Sequence, residues 1–427
     1  MIGAELSNIW SCVSLPELLG GEKDLFDAHL QLRTNQPGDP AFLGFLGQPE
    51  QLTAKTVHAI RKAAESIQAD GDTLVVVGSG GAYLAAKAGI ELLDAGRNLR
   101  EKRLRLYFAG DHLSGRRWLR LCELLDGRSF SLHLICPEEN TVEVFLASRA
   151  LRWMLERRYG KDAKNRIYVS APAESAMATM AQEEGYTFLP LPSDPGGTHS
   201  ALSSAALLPM AVCGIDPLDV LEGAAEGYEN YDLRAFENPV WMYAGARNAL
   251  SARGRTAELL CSFEPALSAF GDWWRNLFLR CTCRDGAGLL PLYAAYPAEL
   301  NVWDAALTTA RTPVFETLLR FPPETQKVNI EMDWKDYDGL GYLSERTLGD
   351  VQQAADAGLC EAHDEQSAPM IQLECERLSA EMLGELFYFF ELAAALCAVS
   401  SGLDPFEPAP APSREAAERE LGKPDAS

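Results

Sequence analysis

The chain has 427 residues, 47% of them apolar, and its 61 acidic against 38 basic side chains leave a formal charge of −23. That length exceeds one ordinary domain and predicts two buried cores, while the acidic balance argues against a general nucleic-acid surface and sets a field that repels phosphorylated small molecules. Ten cysteines fall without metal-ligand spacing, and Met1 to Pro16 has no basic start followed by a long apolar core, so a reduced, cytoplasmic protein without metal or cofactor is expected.

Residues 1–52 mix short helical patterns with Pro and Gly and read as an N-terminal wrap with no visible chemistry. Thr53 can cap a helix whose Val57, Ile60, Ala64 and Ile67 follow i, i+3, i+7 spacing. This helix leads into the stretch that organises the chain, DTLVVVGSGGAYLAAKAGIELL from Asp72 to Leu93. Thr73 to Val77 is a continuous apolar, β-branched run, as a parallel strand buried on both faces requires. Gly78, Gly80 and Gly81 then turn the backbone into a helix from Tyr83, whose N-terminal N–H groups would favour an anion. A dinucleotide fingerprint would need glycine at Tyr83, and a P-loop would need Gly-Lys-Ser/Thr where Ala85-Ala86-Lys87 stands, so neither motif is met. The plain structural alternative is that the glycines serve only tight strand-to-helix packing.

Apolar runs at Leu104–Phe108, Leu132–Ile135 and Ile167–Ser170 alternate with helical patterns at 116–125 and 142–159, a βαβ rhythm that predicts a parallel sheet within a first domain at 53–215. A second domain is expected over 216–402. The most apolar segment, Leu386–Val399, carries Glu391, is too short to span a bilayer, and reads as a core helix capped by Ser379. Four prolines between Pro405 and Pro412 open a charged tail over 403–427.

Taken together, AFLGFLGQPE, the Asp72–Leu93 stretch, WMYAGARNALSARGRTAELLCSFEPALSAFGDWWRNLF, FETLLRF, DGLGYLSERTLGDVQQAA and the terminal LGKP resemble bacterial-type glucose-6-phosphate isomerase over about residues 30–424. The resemblance implies an α/β fold of two sugar-isomerase domains, each a mainly parallel sheet flanked by helices in three flavodoxin-like layers. It also implies a homodimer, a sugar-phosphate ligand and aldose–ketose isomerisation in glycolysis and gluconeogenesis. That reaction needs a base, a ring-opening acid–base group, a cation for the developing oxyanion and a phosphate cradle.

At the family's own positions these groups are replaced. Where the family's WW segment runs into Gly-Glu-Ser-Glu-Gly-Lys, this chain reaches Arg280 at the basic Glu, and a guanidinium stays protonated at any working pH. Asn301 stands at the ring-opening His, and Thr198 at the Arg of Gly-Gly-Arg-Phe-Ser, with His199 filling the aromatic place as a packing residue. The phosphate loop Ser-Lys-Ser-Gly-Thr-Thr-Thr-Glu becomes Cys136 to Glu143, which deletes the lysine, adds Glu138 and Glu139, and keeps Thr141 and Glu143. In the glycine loop, Gly80 and Gly81 match and Ala82 replaces a serine. Pro408 takes the C-terminal Gln, and the nearby Lys falls on Arg414 or Glu415 according to where one deletion is placed. Cys281 and Cys283 read as two ordinary thiols rather than a redox or metal pair. Scaffold residues match while chemical ones do not, so a non-isomerising member with a ligand-binding or assembly role is expected. The alternatives are an isomerase active through substitute residues, or different chemistry using Glu138, Glu139 or Cys281.

Overall fold

The computed structural model describes residues 1–34, 54–93, 104–136, 142–191, 197–284, 286, 288–307, 312–323, 327–406 and 411–422. The first strand, β1 (Ile2–Glu5), is followed by β2 (Thr73–Val77), β3 (Arg105–Ala109), β4 (Phe130–Ile135), β5 (Ile167–Pro172) and β6 (Thr187–Leu191). β2 to β6 form one all-parallel sheet in the order β3-β2-β4-β5-β6. Every residue of β2 is buried, as its unbroken TLVVV run requires of a strand covered on both faces. Pro190 sits in β6, at the edge of the sheet, where a missing N–H costs no ladder bond.

The second sheet contains β7 (Ala257–Ser262), β8 (Leu290–Ala295), β9 (Val314–Arg320) and β10 (Met370–Cys375) in the order β1-β10-β9-β7-β8. Its four later strands are parallel and follow the same winding as the first sheet, with the earliest strand flanked by the second and third. The fifth place differs. Where the first sheet ends in its own parallel strand, the second is completed by β1, antiparallel to β10 with Ile2 opposite Cys375. The Ile2 amide donates to Tyr231 Oη at 3.2 Å and to Glu385 Oε1 at 3.1 Å, which fixes that strand to the helices beneath it. Thus the two α/β domains anticipated from the sequence are present, and residues 2–5 are a structural part of the second sheet.

Between the sheets runs the helix Ala380–Ser400, started by Ser379, whose Oγ accepts from the Met382 amide at 3.2 Å. Every residue from Met382 to Ala398 is buried. Among the described residues it is the one helix long and apolar enough to cross a membrane, yet 94% of its most apolar window is covered by the fold. It lies against the helix Pro217–Asn230, and the two backbones touch. A Cβ added to Gly384 would stand 1.7 Å from the Val220 carbonyl oxygen, and one added to Gly223 would stand 1.8 Å from that of Glu381. Asp216 caps the partner helix and also receives Arg61 Nη2 at 2.6 Å from the helix Ala54–Asp70.

This crossing sets an expected reversal of ordinary helix propensity. Alanine normally improves a helix over glycine by about 1 kcal/mol, so Gly358→Ala, in the open middle of the helix Leu348–Gln366 with no atom within 4 Å of the new methyl, should be neutral or stabilising. Gly384→Ala or Gly223→Ala should instead cost about 3 kcal/mol, because the methyl meets backbone that cannot rotate away. Urea midpoints of the three variants check this; equal midpoints would mean that the helices do not touch at this point.

Candidate functional site

In an open parallel sheet, ligands bind beyond the carboxyl ends of the strands where the winding reverses, here between β2 and β4. Three loops leave that edge. The one after β2 carries the glycines. Gly78 packs so closely that an added Cβ would lie 3.0 Å from Ile135 Cβ, and Gly80, at φ +78°, opens the helix Gly81–Leu92 in a conformation that side chains rarely adopt. Gly78 thus serves tight strand-to-helix packing, and Gly80 supplies the backbone turn from which the helix starts. Ala82 is buried, so no hydroxyl is offered from that position. Tyr83, where a dinucleotide fold needs glycine, is buried and donates to Asp111 Oδ2 at 3.1 Å; burial first, then that carboxylate, drive its phenol pKa far upward. The loop after β4, with Glu138, Glu139 and Thr141, lies outside the described residues.

The third loop ends in a short 3-10 turn, Gly197–His199, seated against the helix Gly81–Leu92 and the WW helix Ser268–Thr282. Thr198 is buried on this turn. Next to it His199 is fully enclosed, with Nε2 3.6 Å from Cys281 Sγ and its ring centroid 5.0 Å from that of Phe406. Burial pushes the imidazole down to about 3 and drives the Cys281 thiol far above its ordinary value. The pair is consequently a neutral thiol beside a neutral imidazole. A nucleophilic cysteine requires an accessible thiolate; burial here outweighs the pull of the Arg284 and Arg280 charges, and the thiol is sealed from solvent.

Behind the turn lies a group that the sequence reading noted only as a charge in an apolar run. Glu391, on the central helix, is completely buried; its Oε1 accepts from the Ala201 amide at 3.2 Å and its Oε2 has no hydrogen-bond partner among the described residues. Desolvation, opposed by that single amide, raises its carboxyl to about 8. It is held neutral at physiological pH. The available signal is one carboxylate within the otherwise apolar Leu386–Val399; the expectation that this stretch is too short to span a bilayer does not hold for the 21-residue helix Ala380–Ser400, whose burial, not its length, makes it a core helix.

The remaining expected positions are spread out. Arg280 is half-buried on the last turn of the WW helix, and its carbonyl accepts from Arg284 Nη2 at 3.2 Å. It adjoins Cys281, so the His199–Cys281 contact brings the Thr198 turn and the Arg280 turn together, with Phe406 of the tail against them. Asn301 is exposed at the start of the helix Leu300–Leu307. That helix packs on the face of the second sheet that holds Leu259, Tyr296 and Leu318, whereas the WW helix packs on the opposite face with Leu260 and Leu319. Within one chain, Asn301 and Arg280 are therefore on opposite sides of a sheet. Arg414 pairs with Glu418 at 3.1 Å on the helix Pro412–Glu420, and Glu415 is exposed. At the corresponding edge of the second sheet, the hollow beside Ser262 and Glu264 contains Arg320, already bonded to Asp356 at 3.0 and 2.8 Å. No three His, Cys, Asp or Glu side chains among the described residues gather as a metal site.

The chain is 36% identical over 374 residues to glucose-6-phosphate isomerase of Bacillus cereus, an alignment spanning 86% of this chain and 83% of that protein. The protein of the same description from Bacillus cytotoxicus matches equally, at 36% over 374 residues. Among solved structures, a hypothetical protein from Thermus thermophilus superposes with a TM-score of 0.88 at 21% identity, covering 99% of this chain and all of that one. A glucose-6-phosphate isomerase from Chlamydia trachomatis superposes at 0.77 with 13% identity, over 96% and 85% of the two chains. No family model matches the sequence.

Two buried groups give the site opposite pH signatures. Glu391 keeps its proton in the folded protein to about 8, while an unfolded glutamate releases it near 4.5, so its contribution is complete below 4.5 and is lost as pH rises toward 8. His199 stays neutral down to about 3, whereas an unfolded histidine protonates below 6.5, so stability is lost as pH falls from 6.5 toward 3. Glu391→Gln should flatten the alkaline decline and His199→Phe the acid decline, each read as the difference from the parent in denaturant midpoints between pH 4 and 9. Parallel parent and variant curves would show that neither group is shifted.

Proposed function

Since the chain belongs to the glucose-6-phosphate isomerase family, we propose that it is a member that does not isomerise, retaining the fold for ligand binding or assembly. What supports this reading is Arg280, the residue that the resemblance of the WW segment assigns to the family's carboxylate base. A permanent cation cannot accept the proton from an aldose carbon. Glu391, whose carboxyl is close enough to act on the neighbouring Cys281 thiol, is neutral and sealed from solvent, which makes it a poor substitute. Thr198 offers no cation to a developing oxyanion, and Asn301 cannot exchange a proton near neutrality.

The proposal extends to the phosphate loop. Replacing the family's lysine and hydroxyls with Pro137, Glu138 and Glu139 removes an N–H donor and sets like charge against a dianion. A different, less anionic ligand suits this cleft better than a sugar phosphate. Asn301 and Arg280 lie on opposite faces of one sheet, so a single chain cannot join these two family positions. That separation supports a cytoplasmic homodimer in which a site is shared between copies. A surviving isomerase is favoured by the extent of the sequence identity alone, and different chemistry at Cys281 is disfavoured by its buried, neutral thiol.

A coupled assay should find no interconversion of glucose 6-phosphate and fructose 6-phosphate within about a hundredfold of an ordinary enzyme's roughly 10 per second; faster turnover would establish the active-isomerase reading. Millimolar 6-phosphogluconate should barely move the melting temperature, although a ligand at a hundred times its Kd would add about 2.7 kcal/mol.

Repair should fail one residue at a time. Arg280→Glu alone returns a carboxylate without a phosphate cradle, a cation or an acid–base partner, and groups that act as a unit contribute non-additively. Activity should appear only when residues 136–142 are rebuilt as Ser-Lys-Ser-Gly-Thr-Thr-Thr and Arg280→Glu, Asn301→His and Thr198→Arg are added together. Robust activity from Arg280→Glu by itself would overturn the view that the site has changed as a whole.

A further inference from the structure

The outer face of the first sheet is covered by three helices, of which Gly115–Leu125 and Val142–Tyr159 both bury their inner residues in the core built from Val75, Leu132 and Leu134, beside Ala181 of the helix Ala176–Glu184. The C-terminal ends of the first two are tied together: Arg158 Nη2 donates to the Gly127 carbonyl at 2.8 Å, and Tyr159 Oη to Ser129 Oγ at 3.1 Å. Their solvent sides therefore form one surface. The two helices carry seven arginines against three glutamates and no lysine, in a chain whose total charge is −23; Arg152 is turned inward to Tyr186, and the other six arginines are exposed. These two helices are thus net positive within an acidic molecule.

The same face exposes large apolar groups. Leu119 is 65% exposed, Leu146 53% and Trp153 56%. Leu146, Arg149, Trp153 and Arg157 follow i, i+3, i+7, i+11 spacing and make a single ridge, along which the Arg157 guanidinium lies 4.7 Å from the Trp153 ring centroid. Arg116, Arg117 and Arg149 make no side-chain hydrogen bond or ion pair among the described residues. An exposed apolar ridge bordered by polar groups marks an interaction surface, and Trp with Arg is the pairing that dominates binding energy at protein interfaces.

We propose that this face docks an acidic protein segment carrying its own apolar side chains, with carboxylates held by the arginine forks and the apolar groups laid along Leu119, Leu146 and Trp153. The inference goes beyond the reading of the cleft and holds whether or not the cleft turns over a substrate. Charge complementarity selects the partner. Planar guanidinium groups match carboxylates two bonds at a time, and arginine without lysine is the composition of a protein interface rather than of a general polyanion surface. A long polyanion or an anionic membrane would also meet the remaining acidic surface of the chain. A short acidic segment senses chiefly what lies within the screening length, about 8 Å at physiological salt.

The test uses the full chain and a fluorescein-labelled synthetic helical peptide with glutamates along one face and leucines beside them. Anisotropy should report binding in the micromolar range that weakens at least tenfold in half-molar salt, and a peptide with glutamine in place of glutamate should not bind. Arg116→Glu, Arg149→Glu and Arg157→Glu combined should weaken binding more than tenfold at an unchanged melting temperature, and Trp153→Ala several-fold. The proposal fails if the peptide does not bind at about 100 μM, if the variants bind it equally, or if only single-stranded RNA or phosphatidylserine vesicles bind this face. It also fails if sedimentation shows the face occupied by a second copy of the chain. None of these results depends on the isomerase assay.

Discussion

The backbone contact between Gly223 and Gly384 governs much of what surrounds it. Two helices this close have no room for side chains at the crossing, so the central helix sinks until all its sides meet protein and must be apolar all round. That in turn seats the WW helix, whose Trp273 packs on Phe387 with centroids 4.8 Å apart, and brings the end of that helix to the turn holding Thr198 and His199. The cleft is thus positioned by a steric limit far from its own residues.

Once the helix is so placed, any polar atom on it carries the full cost of a dry environment. Glu391 meets that cost by keeping its proton, and His199 and Cys281 meet it by remaining uncharged. The result is a turn whose enclosed groups, His199, Cys281 and Glu391, are all uncharged. A site for a dianion and an enediolate needs the reverse, fixed positive charge at the point where negative charge gathers.

Much of the fold could be read from the residues because its signals are local. The β-branched run of β2, the Ser379 cap and the apolar spacing of Val57, Ile60, Ala64 and Ile67 each act within a few positions. Thr198, Arg280 and Asn301 can be assigned from the sequence only through the resemblance, by counting from the residues that match it. What could not be read is pairing over distance. β6 has a proline, β8 alternates too weakly to stand apart, and β1 is too short to declare its partner. Nor could sequence separation reveal that Asn301 and Arg280 flank a sheet, because twenty-odd residues can pass through its edge as easily as along one face. Glu391 was visible as a letter, but its protonation follows from burial that only the assembled helices provide.

The pairing of β1 with β10 has a consequence for how the chain reaches its folded state. Residues 2–5 are made long before their partner at 370–375. At synthesis rates of roughly 5–20 residues per second, that interval is on the order of twenty to seventy seconds. During it the first sheet, contiguous from Thr73 to Leu191, can close by itself, whereas the strand that borders the second has nothing to pair with. Birth order and assembly order are opposite for this element. Residues made early act as the closing seam of the second domain, and a nascent chain carries that unpaired strand until the far edge of its sheet has been synthesised.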